Sequence, residues 1–224
     1  MEKISSFGRV ASESKGYYMK RKYLYIQSIA SYLLPAICFM ICLSGGNSAF
    51  AQRNAYEEAL SRFTGAHKYD IEKPGALDGV QSPDFSAETI DGKSVGLASL
   101  KGKVVVLNFW FIACKPCKLE VNPLNEIVEK YKNKHIVFLS IAREKQEDLL
   151  QYLAANKFDF KTIADPKAFL AGDVFHVLGY PTTIVIDRAG KIRYYSLGGK
   201  IDENAVRADF RRKLIPVIDE YLRN

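Results

Sequence analysis

Val104-Val-Val-Leu-Asn-Phe-Trp-Phe-Ile-Ala-Cys-Lys-Pro-Cys117 decides how this chain folds. Val104 to Phe109 is a nearly unbroken apolar run, as expected of a strand buried on both faces. A short turn follows, and a helix is expected from Cys114, because Leu124, Ile127, Val128 and Tyr131 recur at helical spacing beyond it. Further on, Ile136–Ile141 reads as a second buried strand, Gln146–Ala155 as a second helix and Phe160–Ile163 as a short strand. Asp165-Pro166 offers an N-cap followed by proline at the first helical position, so another helix is expected there. Thr182–Asp187 and Lys191–Tyr195, joined through Ala189-Gly190, should form an antiparallel pair. Asp202 should cap a last helix with Val206, Phe210, Leu214, Val217 and Tyr221 on one face, bent at Pro216. Upstream, Ile90-Asp-Gly-Lys-Ser-Val95 has the Asp-Gly signature of a tight hairpin. Strands alternating with helices and closing on a hairpin imply an α/β fold. Its central mixed β-sheet would be flanked by helices and carry an N-terminal β-hairpin extension.

At 224 residues the chain has room for one core-bearing domain and a leader. The expected division is a leader over 1–51, a connecting arm over 52–82 and the catalytic domain over 83–224. The arm holds a short helix around Asn54–Phe63. The 15 Gly and 8 Pro of the whole chain are scattered, which excludes a low-complexity or repeat protein. The net charge of +7 is concentrated in the leader: beyond residue 51 there are 26 Lys and Arg against 23 Asp and Glu. That mixed surface predicts no nucleic-acid partner.

Met19-Lys-Arg-Lys22 opens a basic segment, followed by the apolar run Ile29 to Leu43 and then small residues ending in Ala49-Phe50-Ala51. This is the order of a secretory signal, with cleavage expected after Ala51 and export to the periplasm or cell envelope. The alternative is an uncleaved membrane anchor, against which stand the shortness of the run and Pro35 within it. Residues 1–18 precede a complete signal, so translation is expected to start at Met19. Cleavage removes Cys38 and Cys42 and leaves Cys114 and Cys117 as the mature cysteines.

A Cys-x-x-Cys pair can serve redox exchange, a staple or half of a zinc site. Zinc wants four ligands, and His67, His135 and His176 show no ligand spacing. A bridge closing so small a loop would restrain little unfolded-chain entropy. Position favours redox work: at a helix N-terminus, free N–H groups and the positive end of the helix dipole favour thiolate. Cys114 is then the exposed attacking sulfur and Cys117 resolves the mixed disulfide from one turn inside. Lys115 adds positive charge, and Pro116 stiffens the turn where a missing N–H costs little.

From Pro83 to about Gly199 the chain resembles the TlpA/ResA-like branch of the thioredoxin superfamily. The resemblance rests on Pro83-Asp-Phe85, Asp91-Gly-Lys93, Lys101-Gly-Lys-Val-Val-Val-Leu-Asn-Phe-Trp110, Cys114-Lys-Pro-Cys-Lys-Leu-Glu120 and Gly179-Tyr-Pro-Thr-Thr183. It implies a thioredoxin fold and a thiol–disulfide oxidoreductase with no cofactor beyond its own disulfide. It makes Pro181 a cis-proline facing the cysteines, with Tyr180 and Thr182 beside it as substrate contacts together with Trp110, Lys115 and Pro116. Trp110 is expected mainly to pack beneath the site. Glu120 becomes an acid beneath the dithiol that raises thiol pKa and relays the proton of Cys117. Implied partners are disulfide-bearing envelope proteins, including thiols awaiting haem in cytochrome c maturation, and a membrane electron donor; a monomer is expected.

The chain departs from its relatives at several positions. Asn108 stands where thioredoxin has a buried acid, Ala113 where many relatives have tryptophan, and Pro123 one residue later than usual. A peroxiredoxin-type thiol peroxidase shares Pro83-Asp-Phe85 but needs Thr or Ser three residues before its cysteine, where this chain has Phe111. A thioredoxin-fold module that binds without turnover is the third reading.

Overall fold

The computed structural model describes residues 53, 55–63, 70–71 and 75–223. The expected signal, its cleavage site and Met19 lie outside the described residues. Among those described, no helix is long and apolar enough to cross a membrane.

The apolar run becomes β3 (Val104–Trp110), every residue of which is buried. It is the middle strand of a five-stranded sheet because both its edges find partners. On one side lies β4 (Ile136–Ala142), parallel, and beyond it β5 (Lys161–Ala164), also parallel. On the other side β6 (Thr182–Ile186) and then β7 (Ile192–Leu197) run antiparallel. The sheet order is β5-β4-β3-β6-β7, a mixed sheet as expected. The Asp91-Gly92 turn, with Gly92 at φ 77°, joins a small hairpin of β1 (Ser86–Glu88) and β2 (Ser94–Gly96). Only a residue tolerant of positive φ suits that corner.

Side chains alternate along β3, so each face receives its own layer. Val104 and Val106 pack against helix α1 (Lys115–Lys130) through Leu124 and Ile127, and against the C-terminal helices through Val206, Phe210, Leu214 and Ile218. Val105, Leu107 and Phe109 face the opposite cluster, which contains Phe85, Leu170, Phe175 and Tyr195. Helix α2 (Gln146–Ala155) inserts Leu149 beside Trp110.

Three expectations need correction. Asp165-Pro166 does not open an α-helix: the chain turns through Ala168 at φ 54° into a wide π-type turn over Phe169–Val174. The carboxylate of Asp165 is spent on the backbone N–H of Ala171 at 2.9 Å, which closes this wider turn and buries Leu170, Ala171 and Val174. The C-terminal helix divides at Lys213 into α3 (Glu203–Arg212) and α4 (Leu214–Arg223), ahead of Pro216. A proline ring clashes with the carbonyl four residues back, here that of Arg212, so the break falls there and Pro216 sits in the first turn of α4. Asp202 does cap α3, accepting from Ala205 N at 2.8 Å. The stretch over 52–82 is more than a connecting arm, since Tyr56, Ala59, Ile71 and Leu77 are buried in the core cluster with Phe85 and Phe175. Its helical residues 55–61 are tied down by Tyr56 Oη, which donates to Phe175 O at 2.8 Å.

Candidate functional site

Strand β3 ends at Trp110, and after three intervening residues the chain enters α1 with Cys114 as its N-cap. Cys114 and Cys117 are joined in a disulfide with Cα atoms 5.3 Å apart. Cys114 Sγ accepts from the backbone N–H of Cys117 at 3.2 Å, which puts this sulfur among the unsatisfied donors of the helix start. Pro116 falls in the first turn and breaks no helical hydrogen bond. Lys115 is exposed, and no ion pair of Lys115 is found among the described residues.

The expected contrast between an exposed Cys114 and a covered Cys117 is absent: they are 5% and 3% exposed. Both sulfurs belong to a cluster with Trp110, Ala142 and Leu149, flanked by Ile90, Phe111, Ile112 and Tyr180. These neighbours take over the apolar covering that Ala113, itself exposed, does not supply.

Glu120 follows one turn into α1 and is 4% exposed. Burial pushes its carboxyl up to about 8, opposed by the Asn108 hydrogen bond and the Lys200 charge and reinforced by the charge of Asp209. Asn108 Nδ2 donates to Glu120 Oε2 at 3.3 Å and to Thr183 Oγ1 at 3.1 Å. Asn108 thus replaces the buried acid of thioredoxin with a donor that clamps the glutamate to the sheet. Asp209 is itself buried and ion-paired with Lys213 at 3.1 Å and Lys200 at 3.9 Å.

The Tyr180-Pro181 bond is cis. Tyr180 stacks edge-on with Phe111 at 5.4 Å between ring centroids, which places the loop before β6 against the turn that leads to Cys114. Two expected substrate contacts are otherwise placed. Trp110 is 1% exposed, with its ring packed 5.6 Å from Phe158 and 6.0 Å from Tyr152, so it supports the site from below. Thr182 is fully buried and its hydroxyl donates to Gly179 O at 2.7 Å, shaping the loop and leaving no surface for substrate. Lys115, Pro116 and Tyr180 retain accessible surface.

Sequence reasoning missed Thr183, Lys200, Asp209 and, above all, Gly198. A methyl group on Gly198 would overlap both Glu120 Oε1 and the ring of Pro181, so only glycine lets the acid and the proline approach each other here. Gly198 N also donates to Pro181 O at 2.8 Å. The one signal was the Gly198-Gly199 pair at the end of the last strand. Gly198→Ala should cost about 1–3 kcal/mol of stability through overpacking and slow disulfide exchange. Urea titration beside a disulfide-reduction assay checks this; a variant as stable and as fast as wild type would show that the contact is unimportant.

Among the described residues no group of three or more His, Cys, Asp or Glu is arranged to hold a metal. The arrangement provides a two-electron couple, a titratable buried acid three residues further along the same helix and an aromatic loop beside it.

The AhpC/TSA family model matches residues 79–195. The chain is 31% identical over 133 residues to the thioredoxin-like protein YneN of Bacillus subtilis (strain 168), which covers 58% of this chain and 77% of that protein. It is 32% identical over 126 residues to the thiol-disulfide oxidoreductase ResA of Bacillus cereus (strain ZK / E33L), covering 56% and 72%. Among solved structures it resembles a Chlorobium tepidum protein assigned as the thiol:disulfide interchange protein DsbE. There the TM-score is 0.55 at 28% identity, over 63% of this chain and 97% of the other.

Proposed function

This chain belongs to the AhpC/TSA family, in its ResA-like thioredoxin-fold branch, and is a thiol–disulfide oxidoreductase; from that premise we propose that it is an exported reductant of protein disulfides in the cell envelope. The Cys114 thiolate attacks one substrate sulfur, forming a mixed disulfide and releasing the other substrate sulfur as thiolate. Cys117 then attacks Cys114 Sγ, the second substrate thiolate leaves, and the Cys114–Cys117 disulfide closes. Two electrons and two protons pass to the substrate. Glu120 takes the proton of Cys117 as it becomes the nucleophile. Tyr180, with Lys115 and Pro116, forms the surface on which substrate lies, and Pro181, itself buried, shapes the loop that presents Tyr180.

The observation that carries the direction is an apolar, buried cysteine pair with the buried Glu120 three residues beyond Cys117 on the same helix. Burial and a neighbouring acid both disfavour thiolate, whereas a strong oxidant needs its reduced form stabilised. The couple should therefore be reducing and be recharged by a dithiol donor in the membrane. Proteins with disulfides to be opened before haem attachment in cytochrome c maturation are the substrates the ResA-like kinship suggests. The sequence pattern from Met19 to Ala51 supports export. A peroxidase is disfavoured because Phe111 stacks on Tyr180 where a peroxide-binding hydroxyl would be needed.

Equilibrating the purified protein with glutathione or dithiothreitol buffers tests the direction. A potential near about −270 mV is expected for a reductant; one near about −120 mV would make it an oxidant.

A further inference from the structure

Resting on the thiol–disulfide reading above, we infer that Glu144 is a second acid of this site, a positioning residue that holds the approach to Cys114 with one carboxylate oxygen and disfavours its thiolate with its charge. The sheet register brings it there. Trp110 and Ala142 are partners at the ends of the parallel strands β3 and β4, so the chain two residues beyond each leaves the sheet at the same edge. Ile112 and Glu144 meet at that point: Ile112 N donates to Glu144 Oε1 at 2.8 Å. Cys114 N in turn donates to Phe111 O at 3.0 Å. The turn carrying the nucleophile is therefore held by one bond within itself and one to Glu144.

The other oxygen, Oε2, is buried and finds no hydrogen-bond partner among the described residues. A desolvated acceptor without a donor is costly if its role is only structural. No ion pair of Glu144 is found among the described residues either. Arg143 next to it lies over the ring of Tyr180, 5.8 Å from its centroid. The groups around the carboxylate and the cysteines come from several elements. Tyr152 faces it from α2, with Lys118 of α1 over that ring at 5.7 Å. Tyr180 faces it from the loop before β6, where Asp165 also acts, and Glu120 is buried on α1 three residues beyond Cys117. Burial raises both phenols; the Glu144 charge raises Tyr152 further, and at Tyr180 the Arg143 charge opposes while Asp165 and then Glu144 add to the rise, so the field of Glu144 reaches both flanks of the disulfide. A negative charge so placed also raises the energy of a thiolate at Cys114.

Glu144→Gln keeps an oxygen for Ile112 N and removes the charge; Glu144→Ala removes both. Reduced wild type and both variants are alkylated with iodoacetamide from pH 4 to 10, Cys114 modification is followed by mass spectrometry, and thermal stability is recorded alongside. The glutamine variant should titrate at Cys114 about 0.5–1 pH unit lower than wild type, with unchanged thermal stability. The alanine variant should in addition reduce a peptide disulfide about tenfold more slowly at matched thiolate fraction. An unmoved glutamine profile beside a titrating wild type overturns the role of Glu144 and leaves the oxidoreductase reading intact. A wild type whose Cys114 neither titrates nor exchanges overturns both.

Discussion

Glu120→Gln is expected to abolish most of the loss of stability that the oxidised wild type suffers between mildly acid and alkaline pH. The folded carboxyl titrates near 8 because it is buried, while in the unfolded chain it titrates near about 4.3. Below the unfolded value both states hold the proton and the group costs nothing. Between the two values the folded state holds a proton that the unfolded state has released, so stability falls as pH rises and levels off above the folded value. The full loss is about 3–5 kcal/mol at roughly 1.4 kcal/mol per unit. Glutamine cannot ionise and keeps an oxygen for Asn108, so urea unfolding at pH 5 and pH 9 should give nearly equal free energies in the variant. A decline as steep as that of wild type would remove Glu120 as the responsible group. On the proposed mechanism the same substitution also removes the base for Cys117, and exchange at and above about pH 8, where Glu120 is ionised, should fall about 100-fold.

The parts of the fold legible in the sequence are those whose signal is local and repeated. The run from Val104 carried its burial on its face, and Gln146–Ala155 matched the helix to the residue. The π-type turn over Phe169–Val174 was not legible, because Asp165-Pro166 is a sound helix start locally and what overrides it is a side-chain acceptor reaching six residues ahead to Ala171. The docking of Tyr56, Ile71 and Leu77 was hidden for another reason. These apolar residues are spaced without any period in a polar stretch, and their meaning appears only when the core cluster with Phe175 forms.

At the site, the cysteine pair, Glu120 and Pro181 were legible because they sit in contiguous motifs. Asn108 was noticed as a departure, but its second partner Thr183 lies 75 residues away and depends on the β3–β6 register. Gly198 is more remote still: its necessity comes from the space it leaves between Pro181 and Glu120, a property of no single segment. The burial of Cys114 depends likewise on side chains from the hairpin turn and the loop before β6. Trp110 and Thr182 carried a motif-based expectation of substrate contact that their complete enclosure denies.

Cys117→Ser should stop turnover after a single exchange and convert the protein into a trap. Cys117 lies one helical turn from Cys114, close enough for their sulfurs to bond, so in wild type any mixed disulfide on Cys114 meets an internal thiol at once. A serine hydroxyl is not ionised near neutral pH and does not attack sulfur, so the mixed disulfide persists while the N-terminal sulfur still reacts. Multiple-turnover reduction should fall on the order of a thousandfold or more, and covalent adducts with envelope proteins should accumulate that dithiothreitol dissolves. Adding Cys114→Ser must remove every adduct. The variant also separates the three chemistries this pair could serve. An exchange enzyme yields adducts and loses turnover, a one-cysteine peroxidase keeps consuming peroxide with an external thiol, and a passive binding module forms no covalent adduct at all. Because Cys117 is buried and its backbone N–H already caps the helix through Cys114 Sγ, serine changes one atom without disturbing that bond, and loss of turnover in a folded variant can be assigned to the missing sulfur.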